Sequence, residues 1–216
     1  MKVAVTGGTG FIGRYLLQRL IKDGHEAVAL ARPGREEAVW QPDDPSSARV
    51  HVHTGDLTDG PSLEGFLEGV DVLVHMAAAH DHIDDETMQK ITVEGTRHLL
   101  AEAERAQPHH VKGGDDLMQL FIMSSAVIGA PVYSYYRDAK RVQEKIIRGS
   151  NFPWVSFRPT LVYGVGDMRH TAPLLRRCAA QSGSFWIPHK GRSKINPVHV
   201  EDVVDAVREG RRIILV

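Results

Sequence analysis

Two features are scarce in this sequence: cysteine and long apolar runs. The 216 residues include one cysteine, Cys178, so the chain cannot form an internal disulfide. Such cysteine usage is typical of a reducing compartment, and we therefore expect a cytoplasmic protein. No apolar run approaches the ~20 residues of a membrane helix, and the one at the amino terminus is too short for a signal peptide. We expect no membrane partner.

The sequence also has no excess of charge of either sign. The formal net charge is −1, which gives no broad basic surface, so we expect no nucleic-acid partner. The twelve histidines are scattered without cysteine or carboxylate companions at ligand spacing, so we expect no metal site. The remaining composition is that of a globular chain with one sizeable core.

Short apolar runs alternate with longer amphipathic ones along the chain. The runs that predict strands are KVAVT, EAVALAR, ARVHVHT, DVLVHMA, LMQLFIMS and FPWVSFRP, and the closing GRRIILV fits a late strand. The runs that predict helices are FIGRYLLQRLIKDG, DGPSLEGFLEG with Asp59 as N-cap, DDETMQKITVEGTRHLLAEAERA and YRDAKRVQEKIIRG. This alternation predicts an α/β fold: a doubly wound parallel sheet flanked by helices on both faces.

Glycine is concentrated between the first predicted strand and the first predicted helix, in TGGTGFIG. Gly8, Gly10 and Gly13 match G-x-G-x-x-G, and Gly7 starts an overlapping G-x-x-G-x-x-G. Glycine here lets the backbone turn, lets it approach a pyrophosphate closely, and lets the helix pack on its strand. The N–H groups and dipole at the helix start then favour phosphate. The turn predicts a dinucleotide site.

The second strand ends in ALARPGR, and its last residues bear on which dinucleotide binds. A carboxylate about 20 residues beyond the glycine turn would hold the ribose of NAD. Arg32 stands there instead, and Arg35 follows. Because guanidinium groups pair with phosphate oxygens, these arginines predict NADP as the cofactor, with NAD as the alternative.

YYRDAK places Tyr136 four residues before Lys140, which brings both side chains to one face of a helix. A free tyrosine has a pKa of about 10, too high for a base near neutrality. A nearby ammonium stabilises the phenolate, and the tyrosine can then exchange a proton with a substrate oxygen. A serine pair, Ser124 and Ser125, ends the fifth strand, and the combination predicts a catalytic site.

Together these segments resemble the extended branch of the short-chain dehydrogenase/reductase superfamily, the NAD-dependent epimerase/dehydratase family. The segments that carry the resemblance are TGGTGFIG, GDLTD, HMAAA, ITVEGTRHLL, FIMSSA, YRDAK, FRPTLVYGVGD and INPVHVEDVVDA, and they span nearly the whole chain. The resemblance implies a Rossmann-type domain acting on a small-molecule substrate. With the two arginines, the expected cofactor-binding residues are Gly7, Thr9, Gly10, Phe11, Ile12, Gly13, Arg32, Arg35, Asp56, Leu57, Ala77, Ala78, Ala79, Thr92, Tyr136, Lys140 and Pro159.

The resemblance also implies that a serine beside Tyr136 hydrogen-bonds the substrate oxygen, while Lys140 holds the nicotinamide ribose. Counting back from Gly129 selects Ser124, whereas aligning the serine pair selects Ser125, which we slightly favour. The family pattern is interrupted by a threonine, Thr92, where asparagine is usual, and the serine-to-tyrosine connection is short.

We expect one NAD(P)-binding domain over residues 1–216. The family continues into a small C-terminal substrate lobe, and residues from about 165 onward are expected to be the remnant of a lobe that is largely absent. FWIPHKGRSKINPVH either lines what remains of the substrate pocket or forms a surface hairpin. The resemblance further implies a homodimer through the helix from about Asp85 and the helix that bears Tyr136.

The expected activity is NAD(P)-dependent oxidation or reduction of a carbonyl or secondary alcohol. A nucleotide-sugar epimerase and a non-catalytic dinucleotide-binding protein are the alternatives. Ala126 and Val127 stand where dehydratases of the family carry an Asp-Glu pair, which argues against 4,6-dehydration. Leu161 stands where nucleotide-sugar enzymes often carry asparagine, and its side chain cannot hydrogen-bond a substrate.

Overall fold

Six parallel strands form the main sheet of the computed structural model, which describes residues 1–43, 50–79, 83–107, 117–131, 133–169, 171–180, 192 and 196–213. The strands are β1 (Lys2–Thr6), β2 (Glu26–Ala31), β3 (Val50–Thr54), β4 (Val72–His75), β5 (Gln119–Met123) and β6 (Trp154–Phe157). Their order across the sheet is β3-β2-β1-β4-β5-β6, and every neighbouring pair is parallel. This is the doubly wound order of Rossmann-type folds, and it confirms the predicted fold class.

Helices connect these strands and cover both faces of the sheet. The helices are α1 (Phe11–Lys22), α2 (Asp85–Met88), α3 (Gly95–Ala106), α4 (Tyr135–Arg148), α5 (Thr171–Ala179) and α6 (Val200–Ile213). A π-helical segment, Gln89–Glu94, joins α2 to α3. A second, two-stranded parallel sheet pairs β7 (Leu161–Tyr163) with β8 (Pro197–His199).

Successive side chains of β1 enter two different layers of the core, as the alternation of a strand requires. Val3 packs with Leu17 of α1 and Val204 of α6 on one face of the sheet. Ala4 packs with Leu99 of α3 on the other face. Fully burying an aliphatic side chain of this kind stabilises the fold by about 1.5–3 kcal/mol, so the two layers hold the sheet rigidly between helices.

The carboxyl ends of the strands bring distant segments to one edge of the sheet. The glycine turn follows β1, the segment with Arg32 follows β2, Asp56 follows β3, and Ala77 follows β4. The chain order reverses between β1 and β4, which is where doubly wound sheets form their ligand crevice. The fold therefore places the predicted cofactor segments around one crevice.

The helix predicted for DGPSLEGFLEG is wrong. Only Gly60–Leu63 forms a short 3₁₀ turn, and the Asp59 side chain makes no capping hydrogen bond. Gly65 and Gly69 have φ values of +85° and +66°, in the left-handed region, so the backbone leaves the helical path twice within a few residues.

The strand predicted for GRRIILV is also wrong over its described part, because α6 continues to Ile213. Val203, Val204 and Val207 recur at helical spacing and are buried against the sheet, which favours a helix. Gly210 allows this helix to lie close, since a Cβ there would come within 2.6 Å of the Phe157 ring. Residues 214–216, and most of the expected FWIPHKGRSKINPVH pocket segment, lie outside the described residues.

Candidate active site

The glycine turn after β1 is shaped by contacts that leave no room for side chains. Gly7 has a φ of +79°, and a Cβ on it would lie 3.0 Å from the backbone nitrogen of Ala77. A Cβ on Gly13 would lie only 2.2 Å from the carbonyl oxygen of Gly7. The turn therefore folds tightly against both the start of α1 and the end of β4.

Helix α1 begins directly after this turn with its first N–H groups uncapped by a side chain. Gly10 is the N-cap residue and makes no side-chain hydrogen bond, and the first turn carries no acidic residue. Thr9 is exposed, while Phe11 and Ile12 are half-buried. Unpaired N–H groups and the positive end of the helix dipole bind phosphate well, so this cradle fits the pyrophosphate of a dinucleotide.

Arg32 and Arg35 share a tight turn at the end of β2. The Arg35 N–H donates to the carbonyl oxygen of Arg32 at 2.9 Å, and Gly34 between them has a φ of +74°. Both arginine side chains are exposed, and neither forms an ion pair with any residue in the part of the chain that the structure describes. The guanidinium groups of Arg32 and Arg35, without an ion-pair partner among the described residues, thus lie at the edge of the crevice.

Asp56 and Leu57 follow β3 at the same edge. One carboxylate oxygen of Asp56 accepts from the backbone N–H and the hydroxyl of Thr58, at 2.9 and 2.8 Å. Leu57 is buried, and a Cβ on Gly95 at the start of α3 would lie 2.8 Å from the Leu57 Cβ. The glycine of ITVEGT is therefore needed for α3 to pack against the GDLTD segment.

Thr92 lies inside the core and not on the wall of the crevice. Its side chain is fully buried, and its hydroxyl accepts from the Ala79 N–H at 3.1 Å. The same hydroxyl donates to the Met88 sulfur at 3.6 Å. Thr92 sits in the π-helical segment, which brings this hydroxyl to the strand end. It thus supports the segment Ala77–Ala79, where the first two alanines are half-buried and the third is buried.

Tyr136 and Lys140 lie on one face of α4, as their spacing predicted. The Lys140 Nζ is 5.8 Å from the centre of the Tyr136 ring. Ser134 caps the helix by accepting from the Arg137 N–H at 3.1 Å, which fixes where the first turn begins. Tyr136 is half-buried and packs against a cluster that includes Ala79 at the end of β4. The pair therefore stands beside the predicted crevice.

Lys140 is almost completely buried, with 2% of its surface exposed. Its Nζ donates to the carbonyl oxygen of Met123 at 2.7 Å and to Oε1 of Gln143 at 2.9 Å. Burial lowers the pKa of Lys140 to about 7, although the Glu144 charge opposes that shift. A lysine with this pKa can both hold and release a proton near neutrality.

The two serines that follow β5 occupy different environments. Ser124 is 3% exposed, and its hydroxyl, which has no hydrogen bond of ordinary geometry, lies beside the Glu144 carboxylate and helps to lower its pKa. Ser125 is half-buried, and its hydroxyl accepts from the Val127 N–H at 3.3 Å at the start of a 3₁₀ turn. The carbonyl oxygen of Pro159 holds the same turn by accepting from the Ala126 N–H at 3.0 Å.

Glu144 anchors α4 to the end of β6. Its carboxylate accepts from Arg158 at 2.8 and 2.6 Å and from the Ser156 hydroxyl at 2.7 Å. Hydrogen bonding from Arg158 is the largest cause that lowers the pKa of Glu144, which falls to about 2. The carboxylate therefore stays charged at any ordinary pH and keeps the helix in register with the sheet.

His75, Thr96 and Gln143 also belong to this site, although they were not among the residues predicted for it. All three are buried and hydrogen-bonded to one another beneath Lys140. A signal was present for Gln143, because a residue three positions after Lys140 lies on the same face of a helix. No sequence pattern indicated His75 or Thr96, because their contacts depend on the order of strands in the sheet.

A doubly wound sheet with a glycine cradle at its switch point defines the Rossmann-type class of dinucleotide-binding proteins. The chain belongs to the NAD-dependent epimerase/dehydratase family, whose sequence profile matches residues 3–209. In the described part of the chain, no group of side chains is arranged to hold a metal ion, and no helix is long and apolar enough to cross a membrane.

Three known proteins illustrate the similarity. The chain is 30% identical to a ceramide reductase of Caulobacter vibrioides, over 93% of this chain and 57% of that protein. It is 27% identical to a 3-beta-hydroxysteroid dehydrogenase of Mycolicibacterium neoaurum, over 77% of this chain and 49% of that protein. Its fold matches the Bordetella bronchiseptica enzyme WbmG, solved with NAD and UDP, with a TM-score of 0.76 at 22% identity, over 95% and 67% of the two chains.

This chain spans about half the length of the curated relatives it matches. Those relatives are a reductase and a dehydrogenase, and the family is NAD-dependent. The predicted membership of the NAD-dependent epimerase/dehydratase family is therefore confirmed.

Proposed function

We propose that this chain is an oxidoreductase that reduces a carbonyl, or oxidises a secondary alcohol, with a Ser-Tyr-Lys site. The observation that carries the proposal is the pairing of Tyr136 and Lys140, in which the ammonium nitrogen lies 5.8 Å from the centre of the phenol ring. A dinucleotide-binding protein without turnover could use both side chains on the ribose, but it would not need a phenol placed to transfer a proton. The lysine supports the phenolate form electrostatically, which lets the tyrosine act as a proton donor or acceptor near neutrality.

The proposed cofactor is NADP. The glycine cradle would hold the pyrophosphate through the N–H groups at the start of α1. The exposed guanidinium groups of Arg32 and Arg35 would pair with the 2′-phosphate, which NAD lacks. Lys140 and Tyr136 would bind the nicotinamide ribose.

The chemistry divides between the cofactor and three side chains. When bound, the nicotinamide supplies or accepts the hydride. In the direction of reduction, Tyr136 donates its proton to the carbonyl oxygen as that oxygen gains negative charge. Lys140 stabilises the resulting phenolate, and Ser125 hydrogen-bonds the same substrate oxygen. We assign this role to Ser125 because Ser124 is buried against Glu144.

The relatives favour this reaction over sugar-nucleotide chemistry. One relative is a ceramide reductase and another is a 3-beta-hydroxysteroid dehydrogenase, and both names describe redox enzymes. Leu161 on β7 supports the same choice, because its side chain offers no hydrogen bond to a substrate phosphate. We therefore propose an apolar carbonyl or alcohol as the substrate class.

The proposal extends to the domain organisation of the chain, its oligomeric state and its cellular compartment. It treats residues 1–216 as one NAD(P)-binding domain, in which the segment from about residue 165 onward belongs to the substrate side. Helix α5 and strand β8 follow residue 165 and lie outside the main sheet, which supports that division. The same proposal includes a homodimer through the helical stretch from Asp85 to Ala106 and through α4. It also includes a cytoplasmic setting, which suits the exposed free thiol of Cys178.

The test is carbonyl-dependent oxidation of NADPH, followed by absorbance, with a panel of aldehydes, ketosteroids and long-chain ketones. We expect Tyr136→Phe to lower kcat by at least ~100-fold, because it removes the group that transfers the proton, while NADPH affinity stays within about threefold. Tyr133→Phe is the matched control, since Tyr133 is 65% exposed and has no lysine four residues later. Unchanged turnover in Tyr136→Phe would contradict the assignment.

A further inference from the structure

Five buried polar side chains form one continuous hydrogen-bonded group beneath the crevice, which we call the buried polar chain. Its members are Lys140, Gln143, His75, Thr96 and Thr6, each no more than 2% exposed. It runs from α4 to the ends of β4 and β1 and to the start of α3. Such buried groups are costly unless every donor and acceptor is matched.

The amide of Gln143 stands at the centre of the buried polar chain, and its orientation is fixed by its neighbours. Its Oε1 accepts from the Lys140 Nζ at 2.9 Å. Its Nε2 lies 3.0 Å from His75 Nε2 and 3.0 Å from Thr96 Oγ1. The opposite orientation would point amide N–H groups at the ammonium, donor against donor. The amide oxygen must therefore face Lys140.

The amide orientation determines the proton positions in the rest of the buried polar chain. Because an amide nitrogen only donates, His75 Nε2 must accept, and the histidine proton must sit on Nδ1. The Nδ1–H then donates to Thr6 Oγ1 at 2.7 Å. Burial, and secondarily the Lys140 charge, lowers the pKa of His75 to about 3, which agrees with a neutral ring. Thr96 Oγ1 lies 2.6 Å from the Thr92 carbonyl oxygen and 3.0 Å from His75 Nε2, so its single proton can go to either of these acceptors.

The buried polar chain also reaches the walls of the crevice. Thr6 is the last residue of β1, directly before the glycine turn, and its Oγ1 accepts from the Ala77 N–H at 3.2 Å. Lys140 uses two of its three N–H donors on Met123 and Gln143. Among the described residues no third acceptor is recorded for this ammonium, and the direction of its third N–H depends on the two that are fixed.

We propose that Gln143 is the positioning residue for Lys140: its amide oxygen aims the ammonium, while His75 and Thr96 keep that amide from turning over. This inference rests on the proposed role of Lys140 in holding the dinucleotide and supporting the Tyr136 phenolate. Gln143 acts through Lys140 and does not itself touch substrate or cofactor.

Two variants separate the roles of the amide. Gln143→Met keeps a similar size but removes the acceptor for Lys140 and both donors. Gln143→Glu keeps the acceptor, as a charged group, and removes the donors. Ile147→Val is the matched control, because Ile147 is a buried residue of the same helix that packs only in the apolar core. If the substitutions acted only by weakening the packing, all three variants would be affected through the stability of the fold.

The direct readout is the pKa of Lys140 in protein without added nucleotide, measured by NMR of lysine labelled with ¹³C at Cε and assigned with Lys140→Met. The ionisable groups around Lys140 are Glu144 and Tyr136 on α4 and His75 from β4, with Arg158 paired to Glu144. We expect the Lys140 pKa to fall by about one unit in Gln143→Met and to rise in Gln143→Glu. Ile147→Val should leave it unchanged.

The second readout is the dissociation constant for NADPH, measured by fluorescence titration. We expect Gln143→Met to bind about tenfold more weakly than Ile147→Val, and Gln143→Glu to stay within about threefold of the unsubstituted chain. Equal lysine titrations in Gln143→Met and Ile147→Val would overturn the inference. If Gln143→Met does not fold, an unchanged Lys140 pKa in Gln143→Glu would overturn it equally. Failure of the unsubstituted chain to bind NADPH would refute the proposed function, while the lysine titration would still decide the role of Gln143.

Discussion

Ser124 and Ser125 are neighbours in sequence, but they differ in burial and in their contacts just after β5. Ser124 is buried beside Glu144, and Ser125 is half-buried at the start of the turn that follows. Consecutive side chains of an extended strand point in opposite directions, so only one of the pair can reach a substrate above the sheet. The burial difference makes Ser125 the candidate for that contact.

Replacing the two serines separately tests this assignment. We expect Ser125→Ala to lower kcat by about 10²-fold, because a hydrogen bond to the developing oxyanion is lost. Ser124→Ala should leave kcat within about threefold, because its hydroxyl lies against Glu144 on the inner side. Steady-state kinetics on both variants measures the difference, and the reverse ranking would transfer the role to Ser124.

Glu144 makes the stability of the fold depend on pH in acid solution. Its pKa falls from 4.5 to about 2, chiefly through Arg158, so the folded state favours the charged carboxylate. Its contribution is fully present above the unfolded pKa of about 4.5 and disappears as the pH falls towards 2. A shift of this size corresponds to about 3 kcal/mol of unfolding free energy at neutral pH as an upper bound, because solvent screens the half-exposed Arg158.

Glu144→Gln measures that contribution, because the amide cannot titrate. Urea unfolding at pH 7 should show the variant less stable than the unsubstituted chain, and the difference should shrink steadily between pH 4.5 and pH 2. Glu104→Gln on the exposed side of α3 should show no such trend. A stability difference that stays constant over this range would mean that Glu144 does not titrate with the predicted shift.

At the scale of elements, the sequence predicted the strands and helices that have strong local periodicity. All six main strands and the helices α1 and α4 form where the alternation of apolar runs placed them. The predicted helix over DGPSLEGFLEG fails because the left-handed glycines depend on how the loop closes. The long helix from Asp85 to Ala106 is interrupted by a π-helical segment that places Thr92 on Ala79. That interruption follows from a tertiary contact and leaves no periodic signal.

The residues of the site also fall into those that a local sequence pattern predicts and those that it does not. The glycine cradle and the Tyr136–Lys140 spacing are local patterns, and they were predictable because a turn and one helix face suffice to define them. The contact between His75 and Gln143 joins residues 68 positions apart, and only the placement of β4 and α4 brings them together. Sequence spacing alone cannot supply such a pair.

The junction of β1 and α1 has its own test in Gly13→Ala. The added Cβ would lie 2.2 Å from the Gly7 carbonyl oxygen, so the helix must move away from the turn. We expect a loss of stability of about 1–3 kcal/mol, as for an overpacked core position, and loss of NADPH binding. Gly129→Ala is the matched control, because no atom lies within 4 Å of its added Cβ. Thermal unfolding and fluorescence titration on both variants measure the effects, and equal behaviour would contradict the tight junction.

At the scale of the whole molecule, the sheet order is what turns separate segments into a site. The order β3-β2-β1-β4-β5-β6 places the arginine turn, the glycine cradle and the alanine segment after β4 along one edge. The Tyr136–Lys140 pair joins this edge because α4 leads from β5 to β6. We therefore expect a dinucleotide site along this edge, with the arginine turn at its end selecting NADPH.

Parallel fluorescence titrations with NADPH and NADH test this claim most directly. The unsubstituted chain should bind NADPH at least about tenfold more tightly than NADH, because two guanidinium groups meet the 2′-phosphate. The double variant Arg32→Ala/Arg35→Ala should lose that preference while keeping its NADH affinity, and Arg97→Ala on α3 should keep it. Comparable affinities of the unsubstituted chain for the two nucleotides, or binding of neither, would contradict the account.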